Sequence, residues 1–302
     1  MDFKSKIILI YGPTASGKSE FAVKLAKKIK GEIINADSMQ VYKELKILSA
    51  RPSKKDYKSI KHHLYGFQSV KKNYSSGEWL KATKKKILAI KKRNKVPIII
   101  GGTGLYFKAL TEGIVNIPNI PNRIREKVRK LNSSIGNKIF FKKLKELDPK
   151  ASSFVNASDT QRLIRAYEVK LFTKKSLYEW FKSTKSDFEE KNFYKIYIDF
   201  PRNILIDKIN KRTQNMIDKG AILEGKRFLN LRVSKKRTAS KAIGLNEIQD
   251  FIDKKIKIDE VIDRISIKTR QYAKRQVTWG RGNMTDWNKI KHNRLDNFLK
   301  NI

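Results

Sequence analysis

One stretch of eight residues constrains this chain more than any other: Gly12-Pro13-Thr14-Ala15-Ser16-Gly17-Lys18-Ser19. It matches the pattern G-x-x-x-x-G-K-[ST]. The apolar run 7–11 before it reads as a buried strand. The segment 19–29 after it reads as a helix, with Phe21, Leu25 and Ile29 on one stripe. In that setting the glycines let backbone N–H groups converge on phosphate oxygens, and the helix N-terminus adds the positive end of a dipole. Gly12, Pro13, Thr14, Ala15, Ser16, Gly17, Lys18 and Ser19 are therefore expected to bind a diphosphate group. Lys18 would neutralise its charge, and Ser19 would place its hydroxyl on Mg²⁺, the expected cofactor.

The usual ligand of such a loop is ATP or GTP, yet the partner that a nucleotide-handling enzyme needs is missing. Such enzymes place an acid at the end of a later strand to organise Mg²⁺. Here the strand over 96–100 runs into Gly101-Gly102-Thr103-Gly104-Leu105-Tyr106, and the carboxylate sits instead on Asp37, after 32–36. Whether ATP also binds stays open at this level.

Strand and helix patterns alternate through the first third, with a further helix over 79–92. This predicts right-handed βαβ units: an α/β fold with a parallel P-loop sheet flanked by helices. After Gly113 the breaker-rich segment NIPNIPNR (116–123) opens about seventy residues without strand character. Helical patterns run there over 123–131, 139–147, 160–172 and 176–182. Strand character returns at 194–200, and helices follow to the end. The expected organisation is a core of residues 1–114 and 193–302 with C-terminal helices, interrupted by a helical insertion domain over 115–192.

The charge is extreme: +40 over 302 residues, from 69 Lys and Arg against 29 Asp and Glu. Nucleic acid is the first partner such an excess implies, since basic side chains displace counterions condensed on phosphates. A compositional drift toward Lys is the competing reading. No cysteine is present, which excludes a disulfide framework or a Cys-based zinc module. No stretch has the ~18 to 20 apolar residues of a membrane span. The cytoplasm, no membrane partner and a monomer are the expectations.

The segments GPTASGKS, INADSMQVY, HHL at 62–64, PIIIGGTGLYFKAL, DTQRLIRAYEV, AIGLNEI and RQYAKRQVTWGRG, in that order, resemble the tRNA dimethylallyltransferases, also called tRNA isopentenyltransferases. The resemblance covers residues 7 to 282. It implies transfer of a dimethylallyl group from dimethylallyl diphosphate to the exocyclic N6 amine of the adenosine 3′-adjacent to the anticodon of tRNA. The missing nucleotidase acid is then accounted for, because no γ-phosphoryl group moves. By the same resemblance Asp37 is the general base for a weakly nucleophilic amine. Thr103 faces the reacting centre, and Arg212 closes over the diphosphate.

The resemblance also implies a grip on the anticodon stem-loop, because the target base must leave its stack. Asp37, Ser38, Met39, Gln40 and Thr103 match residues around that base. In the insertion, Gln161, Arg162, Leu163, Ile164 and Arg165 match tRNA contacts, as does Arg125 across an ambiguous alignment. Lys241 and Arg275 complete the set. Independently, Arg264, Lys268, Gln271 and Arg275 share one sector of the last long helix, opposite Val261, Ile262, Ile265, Tyr272, Ala273 and Val277. This predicts a basic face for RNA.

KELKILSARPS (43–53) departs from a Gly-Thr-Ala-Lys-Pro run usual in the family, Leu245 replaces a usual Tyr, and Lys241 stands where Gln or Arg is common. The lack of cysteine for a zinc-finger extension points to the bacterial type. Two other classes remain at this level, an ATP-dependent small-molecule kinase and a non-catalytic RNA-binding protein.

Overall fold

The computed structural model describes residues 3–302. The chain runs β1 (Ile7–Tyr11), α1 (Lys18–Lys28), β2 (Gly31–Asn35), β3 (His62–His63), α2 (Ser76–Lys91), β4 (Val96–Gly101) and α3 (Gly104–Thr111). Then come α4 (Asn122–Leu147), α5 (Pro149–Ser152), α6 (Thr160–Thr173) and α7 (Leu177–Lys182). The remainder is β5 (Phe193–Asp199), α8 (Arg202–Asp218), α9 (Ala221–Asn230), α10 (Leu245–Ile252), α11 (Ile258–Asn283), β6 (Asn288–Lys291) and α12 (Leu295–Lys300).

The six strands form one parallel sheet in the order β3-β2-β4-β1-β5-β6. Every residue of β1, β2 and β4 is buried, as expected of parallel strands covered on both faces. The stripe expected on α1 is present. Phe21 and Leu25 are buried with Ala22, Val23 and Ala26 against Ile8, Ile10, Ile98 and Ile100, and Ile29 packs at the margin. A second core joins the loop after β2 to the C-terminal helices through Val41, Tyr42, Leu45 and Leu48 against Phe228, Leu245, Ile248, Val261 and Ile265.

Two short strands have no counterpart in the sequence reading. β3 is two residues long, and β6 is an edge strand with mostly exposed side chains. Strand β2 stops at Asn35, so Asp37 lies beyond the strand rather than at its tip.

The chain separates into two compact units. One runs through Thr111 and resumes at Phe188; the other is Glu112–Asp187. The second unit starts three residues before, and ends five residues before, the 115–192 expected for the insertion. The reason is local: α3 already ends at Thr111, and the segment from Phe188 belongs with the approach to β5. The helical unit has its own core of Val128, Phe140, Leu144, Leu163, Ala166 and Val169. The two helices expected over 123–131 and 139–147 are the two arms of α4, separated at Gly136, where φ of 71° and ψ of 166° take the backbone out of the helical region.

Candidate active site

The phosphate loop leaves β1 at Tyr11 and turns into α1 through Gly17, whose φ of 77° lies in the left-handed region that favours glycine. Thr14 to Ser19 line a cavity of about 810 Å³. Lys18 Nζ donates to the Pro13 carbonyl at 2.9 Å. Burial pulls its pKa down to about 8, with Arg212 adding to the drop and Asp37 opposing it. The buried Ser16 hydroxyl has no protein partner.

The opposite wall is built by a close approach of two backbones. A Cβ on Gly101 would lie 2.0 Å from the Ala36 carbonyl oxygen, so only glycine lets the end of β4 run against residue 36. Thr103 N–H donates to that carbonyl at 3.2 Å, and Ser38 N–H donates to Thr103 Oγ1 at 3.0 Å. Asn35 completes the turn: its Oδ1 accepts from Asp37 N–H at 2.9 Å, and its Nδ2 donates to the Asp37 carbonyl at 3.0 Å.

Asp37 is thereby held with its carboxylate on the cavity wall. Its Oδ1 accepts from Met39 N–H at 2.9 Å and Gln40 N–H at 3.4 Å. This is a capping arrangement that fixes the carboxylate through Oδ1 and, among the described residues, leaves Oδ2 without a hydrogen-bond donor. Burial raises the Asp37 pKa, against the lowering effect of those N–H groups and of Lys18. A carboxylate of raised pKa and the buried ammonium of Lys18 thus belong to residues lining one cavity.

Arg212 of α8 lines the same cavity and donates from Nη1 to Thr14 Oγ1 at 3.2 Å. Burial lowers its pKa. Ser38, Met39, Gln40, Lys241 and Arg275 also line the cavity. Gln40 spends its amide donors on the Ser49 and Ala50 carbonyls at 3.1 and 3.3 Å. It therefore holds the 49–50 backbone at the cavity wall. The divergent segment 43–53 is anchored at its other end by Glu224, whose carboxylate accepts from Lys46, Ile47 and Leu48 N–H at 2.9 Å each. Thr103 is not among the residues that line the cavity, and its hydroxyl accepts from Ser38 N–H.

Several residues of this region escape sequence reasoning. Gln276 of α11 is 4% exposed. Its Oε1 accepts from Thr14 N–H at 2.8 Å and its Nε2 donates to the Gly102 carbonyl at 2.9 Å. It is one side chain joining the glycine-rich loop to the Gly102-Thr103 turn, and burial raises the pKa of the nearby Tyr272 hydroxyl. Tyr65 and His62 line the cavity from the β3 side. His62 is stacked on Tyr57 at 3.9 Å, and its Nδ1 lies 2.8 Å from the Ile60 carbonyl. The other histidine of that pair is structural: His63 Nε2 meets the buried Glu32 carboxylate at 2.7 Å, and Arg93 donates to the same carboxylate at 2.8 Å.

The basic sector expected on α11 is partly consumed within the fold. Arg264 pairs with Asp250 and Glu260, and Lys268 pairs with Glu247. A helical projection of α11 cannot see the first and last of these acids, because both are on α10. Of that sector, Arg275 reaches the cavity.

In the helical unit, Gln161 and Arg162 are exposed, and Arg162 pairs with Asp159 at 3.1 Å. Leu163 is a correction. It is 0% exposed in the unit's core, so its side chain cannot touch RNA, and Ile164 packs against the same core. The reason is the period of α6, which turns Leu163, Ala166 and Val169 inward together. Arg165 lies 3.8 Å from the buried carboxylate of Glu168, and Arg129 lies 3.9 Å from it. Arg125 also acts on that carboxylate electrostatically and donates to Asn119 at 3.4 Å. Glu168 thus gathers three arginines, of which Arg129 had no signal in the sequence.

Among the described residues no cluster of three or more His, Cys, Asp or Glu could hold a metal by itself. A Mg²⁺ ion held through one hydroxyl and phosphate oxygens needs no such cluster. Ser19, whose hydroxyl is expected to serve in that way, lines the cavity together with Asp37.

Comparison with known proteins finds relatives along nearly the whole chain. The family model for IPP transferase matches residues 40–283. A tRNA dimethylallyltransferase of Pelagibacter ubique is 54% identical over 302 residues, covering 100% of this chain and 96% of its own length. One from Rickettsia massiliae is 41% identical, covering 99% and 83%. The crystal structure of a tRNA isopentenylpyrophosphate transferase from Bacillus halodurans superposes with a TM-score of 0.70 at 29% identity, over 98% of this chain and 95% of that one. A eukaryotic dimethylallyltransferase acting on tRNA gives a TM-score of 0.82 at 27% identity, over 95% and 74%.

Proposed function

This chain belongs to the IPP transferase family, and from that premise we propose that it transfers a dimethylallyl group from dimethylallyl diphosphate to the N6 amine of the adenosine 3′-adjacent to the anticodon in tRNA. The observation that carries the reading is the pairing, across one cavity, of an unengaged Asp37 Oδ2 with the cationic cradle of Lys18, Arg212 and the loop amides.

The chemistry follows from that pairing. The N6 nitrogen forms a bond to the first carbon of the prenyl chain as the bond from that carbon to the diphosphate oxygen breaks. The electron pair leaves with diphosphate. The N6 proton passes to Asp37 Oδ2, whose burial makes it a better base than an exposed carboxylate. Loop amides, Lys18 and Arg212 stabilise the charge that grows on the departing group. Ser16 Oγ, buried without a protein partner, supplies a further polar contact for a phosphate oxygen. Ser19, with Asp37 nearby, would hold Mg²⁺, which when bound supplies additional positive charge to the diphosphate.

Lys241 and Arg275 at the cavity, and Arg125, Gln161, Arg162 and Arg165 on the insertion, are the proposed tRNA contacts. The chain is proposed to act as a cytoplasmic monomer; among the described residues no helix is long and apolar enough to cross a membrane. The test is direct. Purified protein is incubated with unmodified tRNA, Mg²⁺ and radiolabelled dimethylallyl diphosphate, and the tRNA is digested to nucleosides. Label on adenosine is expected; folded protein that labels no nucleoside would overturn the reading.

A further inference from the structure

Phe154 directly follows the short helix α5 and is 62% exposed. The ring is not isolated, because it is ordered against a neighbouring aromatic side chain. Here the order comes from α7. Ser176 caps that helix, accepting from Tyr178 N–H at 3.2 Å, and Glu179 accepts in return from Ser176 N–H at 3.1 Å. Glu179 is then fixed in place to take a hydrogen bond from Lys150 of α5 at 2.8 Å.

This tie docks the end of α5 on α7 and lays the Phe154 ring on Tyr178. The centroids are 4.2 Å apart and the planes 14° from parallel. Lys182 Nζ lies 4.8 Å from the Tyr178 ring centroid. Tyr178 thus carries a stacked phenyl ring and a nearby cation, while Phe154 itself stays 62% exposed and so keeps ring surface open to solvent.

Phe181, one helical turn beyond Tyr178, is 56% exposed. Lys175 sits 4.6 Å from the Trp180 ring centroid. Lys174, Lys182 and Lys185 are exposed on the same stretch. Flat apolar surface with cations beside it is what an unstacked nucleobase and its phosphates require, because every base has a face to stack and a backbone charge to neutralise. A protein partner would have to present acids to this much lysine, whereas RNA always does.

We propose that the open face of Phe154 is a stacking seat for an unpaired nucleobase of the tRNA substrate, with Lys175 and Lys182 close to the flanking phosphates. The proposal rests on the tRNA reading above and adds a contact outside the residues gathered around Gln161 and Glu168.

Phe154→Ala removes the seat and, at an exposed position, leaves the insertion core intact; a thermal melt checks this. Base–aromatic stacking corresponds to about 5- to 150-fold in affinity. Binding of an anticodon stem-loop RNA to the full chain, read by fluorescence anisotropy, is expected to weaken about tenfold in Phe154→Ala at both low and moderate salt. The salt slope should stay unchanged, because stacking releases no counterions. Phe154→Trp should restore affinity, and its extra fluorescence relative to the parent chain should be quenched when RNA is added.

Unaltered affinity in Phe154→Ala, or an added tryptophan that RNA does not quench, overturns the proposal even if the parent chain binds RNA tightly. A parent chain that binds no tRNA would overturn the tRNA reading itself. The two failures are thus distinguishable.

Discussion

Replacing Gln276 by methionine keeps the shape of a side chain 4% exposed and removes both of its hydrogen bonds. The Thr14 N–H loses its acceptor at 2.8 Å, and the Gly102 carbonyl loses its donor at 2.9 Å. The buried Gly102 carbonyl left without a partner costs about 1–3 kcal/mol, whereas the part-buried Thr14 N–H can turn to water in the cavity, so the fold should lose roughly 1–3 kcal/mol. The kinetic effect has a different origin. Gln276 ties the loop proposed to hold the leaving group to the turn that positions Ser38, and through it Asp37. Once untied, these two walls can shift independently, and a displacement of about 1 Å at a reacting pair costs on the order of 100-fold in rate.

We therefore expect kcat of Gln276→Met to fall by about 10- to 100-fold at saturating tRNA and donor. The affinity for inorganic pyrophosphate should stay within about threefold, because Lys18, Arg212 and the amides from Ser16 onward remain in place. Single-turnover label transfer beside a pyrophosphate titration and a thermal melt separates the effects. A folded variant with the parent kcat would refute the reasoning. So would a loss of pyrophosphate affinity as large as the loss of rate, since Gln276 would then merely shape the phosphate cradle.

The pH profile follows from two shifted groups. Lys18 in the free protein loses its proton near pH 8, so kcat/KM for the prenyl donor should decline above about pH 8, where the cradle loses a charge; a plateau to pH 10 in stopped-time assays would contradict this. Burial raises the Asp37 pKa, so the acid limb should lie at higher pH than an exposed aspartate would give, and Asp37→Asn should abolish that limb in whatever activity remains. Arg212→Ala removes the guanidinium that meets Thr14 at 3.2 Å. A charge-assisted contact is worth about 1.5–3 kcal/mol, so pyrophosphate affinity should fall about 10- to 100-fold while tRNA affinity holds; equal losses of both would assign Arg212 to the RNA.

How much of this was legible in the sequence depended on whether the partners of a residue lay close along the chain. The strand, loop and helix around Lys18 were readable because glycine, lysine and the apolar stripe of α1 are all local signals. The parallel sheet followed from alternation, but β3 and β6 did not: two residues show no period, and an exposed edge strand shows no apolar face. Gln276 was invisible because its partners are 262 and 174 positions away, and a glutamine in a helix reads as surface. Arg264 and Lys268 misled for the complementary reason. The helical projection was right about the face, while Glu247 and Asp250 arrive from another helix. Leu163 was drawn into the RNA set by its neighbours in sequence, although the period of α6 alone places it with Ala166 and Val169. Asp37 was located as the carboxylate after 32–36 and given its role by resemblance; the structure adds that one of its oxygens is a cap and that, among the described residues, the other has no hydrogen-bond donor.

The central claim is that Asp37 accepts the proton of an attacking adenine amine while the phosphate loop holds the leaving group. Asp37→Asn tests it most directly, since the amide can still accept the Met39 and Gln40 N–H groups through its oxygen and so preserves the turn. In a single-turnover transfer of labelled dimethylallyl groups to tRNA, with tRNA and pyrophosphate affinities measured alongside, the rate should drop by about 100- to 10,000-fold, the usual contribution of a positioned base. Both affinities should remain near those of the parent. A variant that transfers label at the parent rate would contradict the account.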